Sequence, residues 1–298
     1  MAGLLDTSEY TSRPFVSMPV EYNARDLIIY ALGIGSSDPR YVYENHPEFA
    51  AFPTYPIVLT FKGEGCSTLP FPSPIMLAYG MPPLENITVG LDAEKLIEKV
   101  AELPKDGAKL RLVGRLAGVH QKGKGALVER LFELVDDTGK IYYRMIDAGF
   151  LVGATGFKDS GETYSKAVKP PAAAPAHIVE TKTDKDIANL YRLSGDYNPL
   201  HIDPDFAKLS GFEQPILHGN CTLGHATRAL LDAVAGGDQK RFKSVQLRYA
   251  GLVIPGQTLV TEIWQVSPTE YIFQVKVKET GKFCVSNGHF LLTPQGRL

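Results

Sequence analysis

Short segments of this chain recur, in one order, in its two halves. Pro47-Glu48-Phe49-Ala50 is answered by Pro204-Asp205-Phe206-Ala207, and Pro56-Ile57-Val58 by Pro215-Ile216-Leu217. Further on, Gly107-Ala108-Lys109-Leu110 is answered by Gly256-Gln257-Thr258-Leu259, and Asp137-Thr138-Gly139-Lys140 by Glu279-Thr280-Gly281-Lys282. A Tyr-x-Leu triplet sits in a helical start of each half, at Tyr30 and Tyr191. Four matches in shared order indicate an internal duplication, so the chain must fold as two copies of one unit. Helix followed by antiparallel strands, twice over, is an α+β arrangement. With 298 residues and 44% hydrophobic content the chain can bury the core that this requires.

The elements follow from periodicity and punctuation. Residues 1–20 are polar and Pro-containing, and read as a poorly ordered lead-in. Ala24 to Leu32 predicts a short helix stopped by Gly33. The Pro-, Gly- and Ser-rich stretch from Ser36 to Pro83 is too long for a simple connection. It is expected to be packed and to shape an acyl pocket, with one strand-like run at Ile57–Phe61. Strands are predicted at Leu110–Ala117, Ala126–Val135 and Ile141–Val152, the last two joined by a hairpin at Asp136–Lys140. Lys169-Pro170-Pro171 stiffens a linker over 158–176, dividing a first unit (1–157) from a second (177–298). In the second unit a helix starts at Thr183, with Asp186 in a box-like cap, and ends at Gly195. Another runs from about Thr222 to Ala235 before Gly236-Gly237, and strands lie near Val245–Val253, Thr258–Val266, Tyr271–Lys278 and Phe283–Leu292.

Between those helices lies the chemistry. Gly195-Asp196-Tyr197-Asn198-Pro199-Leu200-His201 places an acid, an amide and an imidazole in a bend that Gly195 permits and Pro199 stiffens. Ordinary surface turns use the same residue types, and spacing alone leaves both readings open. A carboxylate beside an imidazole is also what acid/base chemistry requires, because the two groups can move protons in opposite directions.

This bend, preceded by Tyr191-Arg192-Leu193-Ser194, resembles the signature of the enoyl-CoA hydratase 2 family, the MaoC-like (R)-specific hydratases. Pro215-Ile216-Leu217-His218-Gly219-Asn220-Cys221-Thr222, Arg248-Tyr249-Ala250 and Pro255-Gly256-Gln257-Thr258-Leu259 are similar to the same family, as is Tyr30–Gly35 more weakly. Within it the similarity runs to the hydratase part of type 2 peroxisomal multifunctional enzymes. The resemblance implies a double hot-dog fold and reversible hydration of a trans-2-enoyl-CoA to a (3R)-3-hydroxyacyl-CoA in fatty acid β-oxidation, by a hydro-lyase. It also implies a homodimer, and no cofactor or metal beyond the coenzyme A of the substrate. Asp196 and His201 match the acid/base pair and Asn198 the third polar residue. Gly219 matches the oxyanion position, at a helix start where free N–H groups favour negative charge. Lys122 and Tyr249 match ligand-contact positions, and Tyr197, Pro199 and Leu200 go with the bend as substrate contacts. Relatives carry a His-Gly pair where this chain has Leu91-Asp92-Ala93-Glu94, so the first-half contact falls to Asp92 and Ala93. His218 is expected to be structural, and His225 packed or solvated. The first half offers Gly33-Ile34-Gly35-Ser36-Ser37-Asp38-Pro39 at the equivalent place, without a histidine, and is read as binding rather than catalytic.

A net charge of −2 gives no reason for a nucleic-acid partner, and no apolar run is long enough to span a bilayer. Three scattered cysteines (Cys66, Cys221, Cys284) suggest a reducing compartment rather than a disulfide framework or zinc site. The final Gly296-Arg297-Leu298 is small-basic-leucine, close to the address of the peroxisomal import receptor, and with the resemblance favours peroxisome over cytoplasm. Alternatives are a dehydratase acting on acyl carrier protein, a hot-dog thioesterase, and a non-catalytic acyl-CoA-binding protein. The carrier-protein reading wants a basic docking face that the charge does not supply. A binder has no need of all three residues of the bend.

Overall fold

A computed structural model describes residues 3–65, 67–73, 77–78 and 80–294; Cys66 and the tail Gly296-Arg297-Leu298 lie outside them. The strands are β1 (Leu5–Asp6), β2 (Val16–Asn23), β3 (Val89–Lys99), β4 (Gly107–Lys122), β5 (Gly125–Val135), β6 (Ile141–Val152), β7 (Phe157–Lys158), β8 (Ser160–Gly161), β9 (His177–Lys182), β10 (Phe242–Tyr249), β11 (Thr258–Ser267), β12 (Glu270–Val277) and β13 (Phe283–Leu292). The helices are α1 (Ser8–Thr11), α2 (Ala24–Gly33), α3 (Pro39–Val42), α4 (Leu59–Lys62), α5 (Ile187–Tyr191), α6 (Pro204–Leu209) and α7 (Gly219–Ala235).

One sheet runs through both halves in the order β2-β4-β5-β6-β3-β10-β13-β12-β11-β9, with β8 paired to β4. Read from its two ends the order is the same: β2, β4, β5, β6, β3 on one side and β9, β11, β12, β13, β10 on the other. The duplication seen in sequence is therefore a duplication of topology, the double hot-dog arrangement. The halves join where β3 meets β10 antiparallel, from Glu94↔Arg248 to Glu98↔Ser244.

Helices pack between the halves. Asn23 caps α2 through a reciprocal box: its side chain accepts from Asp26 N–H while Asp26 accepts from Asn23 N–H. Tyr30 of α2 and Tyr191 of α5, the two members of the repeated triplet, meet with ring centroids 5.9 Å apart. Tyr30 also sits edge-on to Tyr55 at 5.6 Å, and all three rings are fully buried. Burying each such ring contributes about 1.5–3 kcal/mol, and each aromatic pair about 0.5–1.5 more. Where the second half has the 17-residue α7, the first has at the matching Pro-Ile position only the four-residue α4.

Several elements differ from the sequence reading. The end of the lead-in is a strand: Val16, Met18, Val20 and Tyr22 alternate inward along β2, an edge strand that tolerates Pro19. Ile57–Phe61 is not a strand but a 3-10 turn (Tyr55–Val58) running into α4; a short apolar run does not distinguish strand from buried helix. β3 went unseen because Asp92, Glu94, Lys95, Glu98 and Lys99 mask its alternation, and these charges are paired across the sheet or with nearby loops. Thr183 is no helix cap: its hydroxyl donates to the Gln257 carbonyl (2.7 Å), and the helix starts at Ile187. α7 begins three residues before Thr222, at Gly219. The stretch 158–176 lies along the sheet, its Tyr164 and Ser165 N–H groups bound by buried Glu129 (3.0 and 2.7 Å) and its Ala173 carbonyl by Trp264 Nε1.

His225, on α7, is 2% exposed, and neither ring nitrogen has a hydrogen-bond partner among the described residues. Burial holds its pKa down to about 3, against an ordinary value near 6.5. Between pH 6.5 and 3 the unfolded chain binds a proton there that the native helix refuses. This group's contribution to stability is complete above 6.5 and is lost as pH falls, by about 1.4 kcal/mol per pH unit. Urea unfolding at pH 7 and pH 5 should show His225→Leu losing about 2 kcal/mol less than the parent chain over that interval. Parallel losses would show that the imidazole titrates alike in both states.

Candidate active site

The bend hangs from α5. A 3-10 turn (Arg192–Ser194) leads to Gly195 at φ +129°, a conformation that favours glycine, and an added Cβ would lie 2.8 Å from Lys62 Cβ. Asp196 Oδ1 then accepts from Asn198 N–H (3.2 Å), and Asn198 Oδ1 from Leu200 N–H (3.0 Å), opening a 3-10 turn over Pro199–His201. His201 Nδ1 bonds the Ile216 carbonyl at 2.8 Å, which makes Nδ1 the donor and leaves Nε2 with its lone pair. His218 stacks on His201 with centroids 3.7 Å apart, and its Nε2–H donates to the Asp196 carbonyl (3.2 Å).

Asp196 and His201 are each 8% exposed, so the pair is nearly closed off but still reachable. Burial raises the Asp196 pKa, opposed by the charges of His201 and Lys95, and lowers that of His201, opposed by Asp196. Both shifts favour the uncharged forms: an imidazole able to take a proton and a carboxyl able to give one. His218 is driven well below its usual range, so it stays neutral and serves as a brace. Asp196, His201 and His218 have ligand atoms within 4.8 Å of one another. Rings stacked at 29° cannot both aim a lone pair at one cation between them, so the set suits proton transfer better than metal binding.

Lys122, Asp92, Ala93 and Tyr249 come together, with Gly123, Leu91, Leu127, Phe150 and Arg248, around a cleft of about 360 Å³. Tyr249 connects it to the helix start. Its ring occupies the space that a Cβ on Gly219 would need (3.0–3.3 Å), and its hydroxyl donates to Asn220 Oδ1 at 3.0 Å. A side chain at 219 would have to push the Tyr249 ring back by a few tenths of an ångström. Cys221 and Thr222 N–H groups fold back onto the His218 carbonyl, and those of Gly219 and Asn220 lie in the unpaired first turn of α7. Tyr197, Pro199 and Leu200 are half-buried on the bend and do not line the cleft; the Tyr197 ring lies 5.0 Å from the Arg192 guanidinium. Sequence reasoning missed the roles of Arg248, Lys95 and Asn220 as neighbours of the site, though Arg248 and Asn220 stand inside the quoted motifs.

The first half keeps the bend without its chemistry. Ser36 Oγ accepts from Asp38 N–H (3.4 Å) and Asp38 Oδ1 from Arg40 N–H (2.9 Å), the same two bonds made by Asp196 and Asn198. Tyr41 then stands in the place of His201, and by the Pro-Ile match Leu59 and Thr60 replace His218 and Gly219.

Comparison with known proteins agrees with this geometry. Residues 20–153 match the MFE-2 hydratase 2 N-terminal domain, and residues 166–287 the MaoC like domain. The chain is 37% identical over 286 residues to the peroxisomal enoyl-CoA hydratase 2 of Arabidopsis thaliana, covering 88% of this chain and 87% of that one. It is 38% identical over 278 residues to the peroxisomal multifunctional enzyme type 2 of Drosophila melanogaster, covering 90% of this chain but only 45% of that protein. The chain thus spans less than half the length of such multifunctional relatives. The crystal structure of a MaoC-like dehydratase from Phytophthora capsici superposes with a TM-score of 0.92 at 39% identity, covering 97% and 98% of the two chains. With a duplicated hot-dog sheet, a bend bearing Asp196, Asn198 and His201, and matches along nearly its full length, the chain belongs to the MaoC-like enoyl-CoA hydratase 2 family.

Proposed function

We propose that this chain is an (R)-specific 2-enoyl-CoA hydratase, reversibly adding water to trans-2-enoyl-CoA to give (3R)-3-hydroxyacyl-CoA. The observation that carries it is the Asp196/His201 pair, held in opposite protonation roles by burial beside the free first turn of α7. In the hydration direction the water oxygen bonds to C3 as one member of the pair takes its proton. The other member protonates C2, and the thioester oxygen carries negative charge in between. The Gly219 N–H receives that charge, while Asn198 orients the water. The pair gains one proton and loses one, so transfer between its members restores the starting form. His201 Nε2, with its open lone pair, suits the water side and Asp196 the C2 side. The reverse reaction uses the same groups with exchanged roles. Lys122 in the cleft lining fits a phosphate of coenzyme A as a point charge.

Asp196→Asn and His201→Ala should each lower kcat by roughly 10²–10⁴, with the double variant little worse than either single one. The readout is loss of the conjugated thioester absorbance with trans-2-decenoyl-CoA, followed by chirality of the product. Substantial turnover by either folded variant excludes the assignment. Because the His201 pKa is depressed, the acid limb of kcat/KM should fall below pH 6.5. A limb above 6.5 contradicts a buried neutral base.

One active site per chain is expected, with the first half holding most of the acyl tail. Ser36 and Tyr41 stand where the second half has the Asp196 carboxyl and the His201 imidazole, the Asp38 carboxylate is tied up by Arg40, and the first half has the four-residue α4 where the second has the 17-residue α7. Each buried methylene adds about 0.8 kcal/mol, so kcat/KM should rise from four-carbon to ten-carbon substrates. Titration calorimetry with a hydroxyacyl-CoA should give one site per chain; two equivalent sites, or a preference for the four-carbon substrate, refute the scheme.

Relatives of this chain are named peroxisomal, and we infer the same compartment here. The activity should co-fractionate with catalase from organelle preparations. Recovery in the cytosolic supernatant from intact organelles overturns that placement.

A further inference from the structure

The first half reaches the chemistry through a buried lysine. β3 carries a bulge between Asp92 and Glu94, which gives Ala93 no opposite number on β6. Residues three apart on a regular strand face opposite ways; the extra residue turns Asp92 and Lys95 to one side. Lys95 stands opposite Asp147, and its ammonium contacts the carboxylates of both Asp92 and Asp147. Asp147 is held in turn by Arg130 at 2.7 Å. An ammonium buried to 2% exposure is costly unless paired, and here two carboxylates and a guanidinium balance it.

This clamped charge lies 5.9 Å from the centre of the Tyr249 ring, which packs on Gly219 and bonds Asn220. The electrostatic attraction of a cation to an aromatic face strengthens when water is excluded. We propose that Lys95 is a positioning residue: with Asp92 and Asp147 it fixes Tyr249, and Tyr249 fixes the Gly219–Asn220 turn that receives the thioester oxygen. The repeat without acid/base residues thereby sets the geometry of the donors in the other repeat. Its positive charge also opposes the burial that pushes Asp196 towards its neutral form. This inference rests on the oxyanion role given to Gly219 above.

The test compares Lys95→Met/Asp92→Asn with Asp92→Asn alone, a background in which Asp147 keeps Arg130 as partner. Loss of Lys95 should lower kcat by roughly ten- to a hundredfold, the scale of a sub-ångström to ångström misplacement. KM should stay within about twofold, because the turn acts mainly in the transition state. In a Tyr249→Leu background the same change should cost less than about threefold, since the intermediary is already gone. An unchanged kcat in the folded double variant overturns the proposal, as does a full loss that persists with Tyr249→Leu. If Lys95→Met does not fold, Tyr249→Phe decides: without the hydroxyl to Asn220, kcat should fall, and an unchanged kcat breaks the chain of contacts. Asp196→Asn is assayed alongside. Activity there sinks the acid/base reading itself, whereas an inactive Asp196→Asn beside normal Lys95 variants sinks only this inference.

Discussion

The backbone ladder between β3 and β10 is the constraint on which the rest depends. It spans Glu94–Glu98 against Ser244–Arg248 and turns two five-stranded repeats into one sheet. Because the bonds are between backbones, they set register, and register sets which side chains face each other. Glu94 meets Arg248 across the seam, at 2.7 Å. The cleft takes Leu91, Asp92, Ala93, Lys122, Leu127 and Phe150 from one side of that seam, and Arg248 and Tyr249 from the other. Neither half could build it alone.

Burial sets the second bend apart from an ordinary surface turn. The two bends, at Ser36–Arg40 and Asp196–Leu200, make matching side-chain-to-backbone bonds. The backbone path needs only an oxygen two residues ahead of an N–H and a proline to stiffen it. Chemistry needs more: a carboxyl at 196, an imidazole at 201 with its Nδ1–H held by the Ile216 carbonyl, and removal from water. The first repeat has the path without those groups. It now supplies the Lys95 cluster and the wall of the cleft, and Tyr41 donates a hydrogen bond to the Gly237 carbonyl where the other repeat has His201.

Local signals were legible where one kind of residue dominated. Ala24–Gly33, Gly125–Val135 and Ile141–Val152 form close to where periodicity put them, because apolar spacing and a Gly or Pro stop sufficed. β3 is hidden because several of its charges are satisfied by partners far along the chain, Asp147 and Arg248 among them. Ile57–Phe61 is ambiguous because four apolar residues in five fit a buried turn of helix as well as a strand. Lys122, Asp92, Ala93 and Tyr249 belong to separate stretches of sequence, and the fold gathers them at one cleft, whereas Tyr197, Pro199 and Leu200 stay on the bend.

By itself the sequence determined the duplication, the α+β class, and the residue types at 196, 198, 201 and 219, since these are written in local order and spacing. Only the tertiary structure decided that the repeats share a single sheet, that His218 braces His201, and that Tyr249 closes over Gly219. It alone placed the Lys95 ammonium beside them. The physical reason is that pairing a buried charge, stacking two imidazoles and desolvating a carboxyl are all contacts between distant parts of the chain. Their energies exist only once the β3–β10 register has brought those parts together.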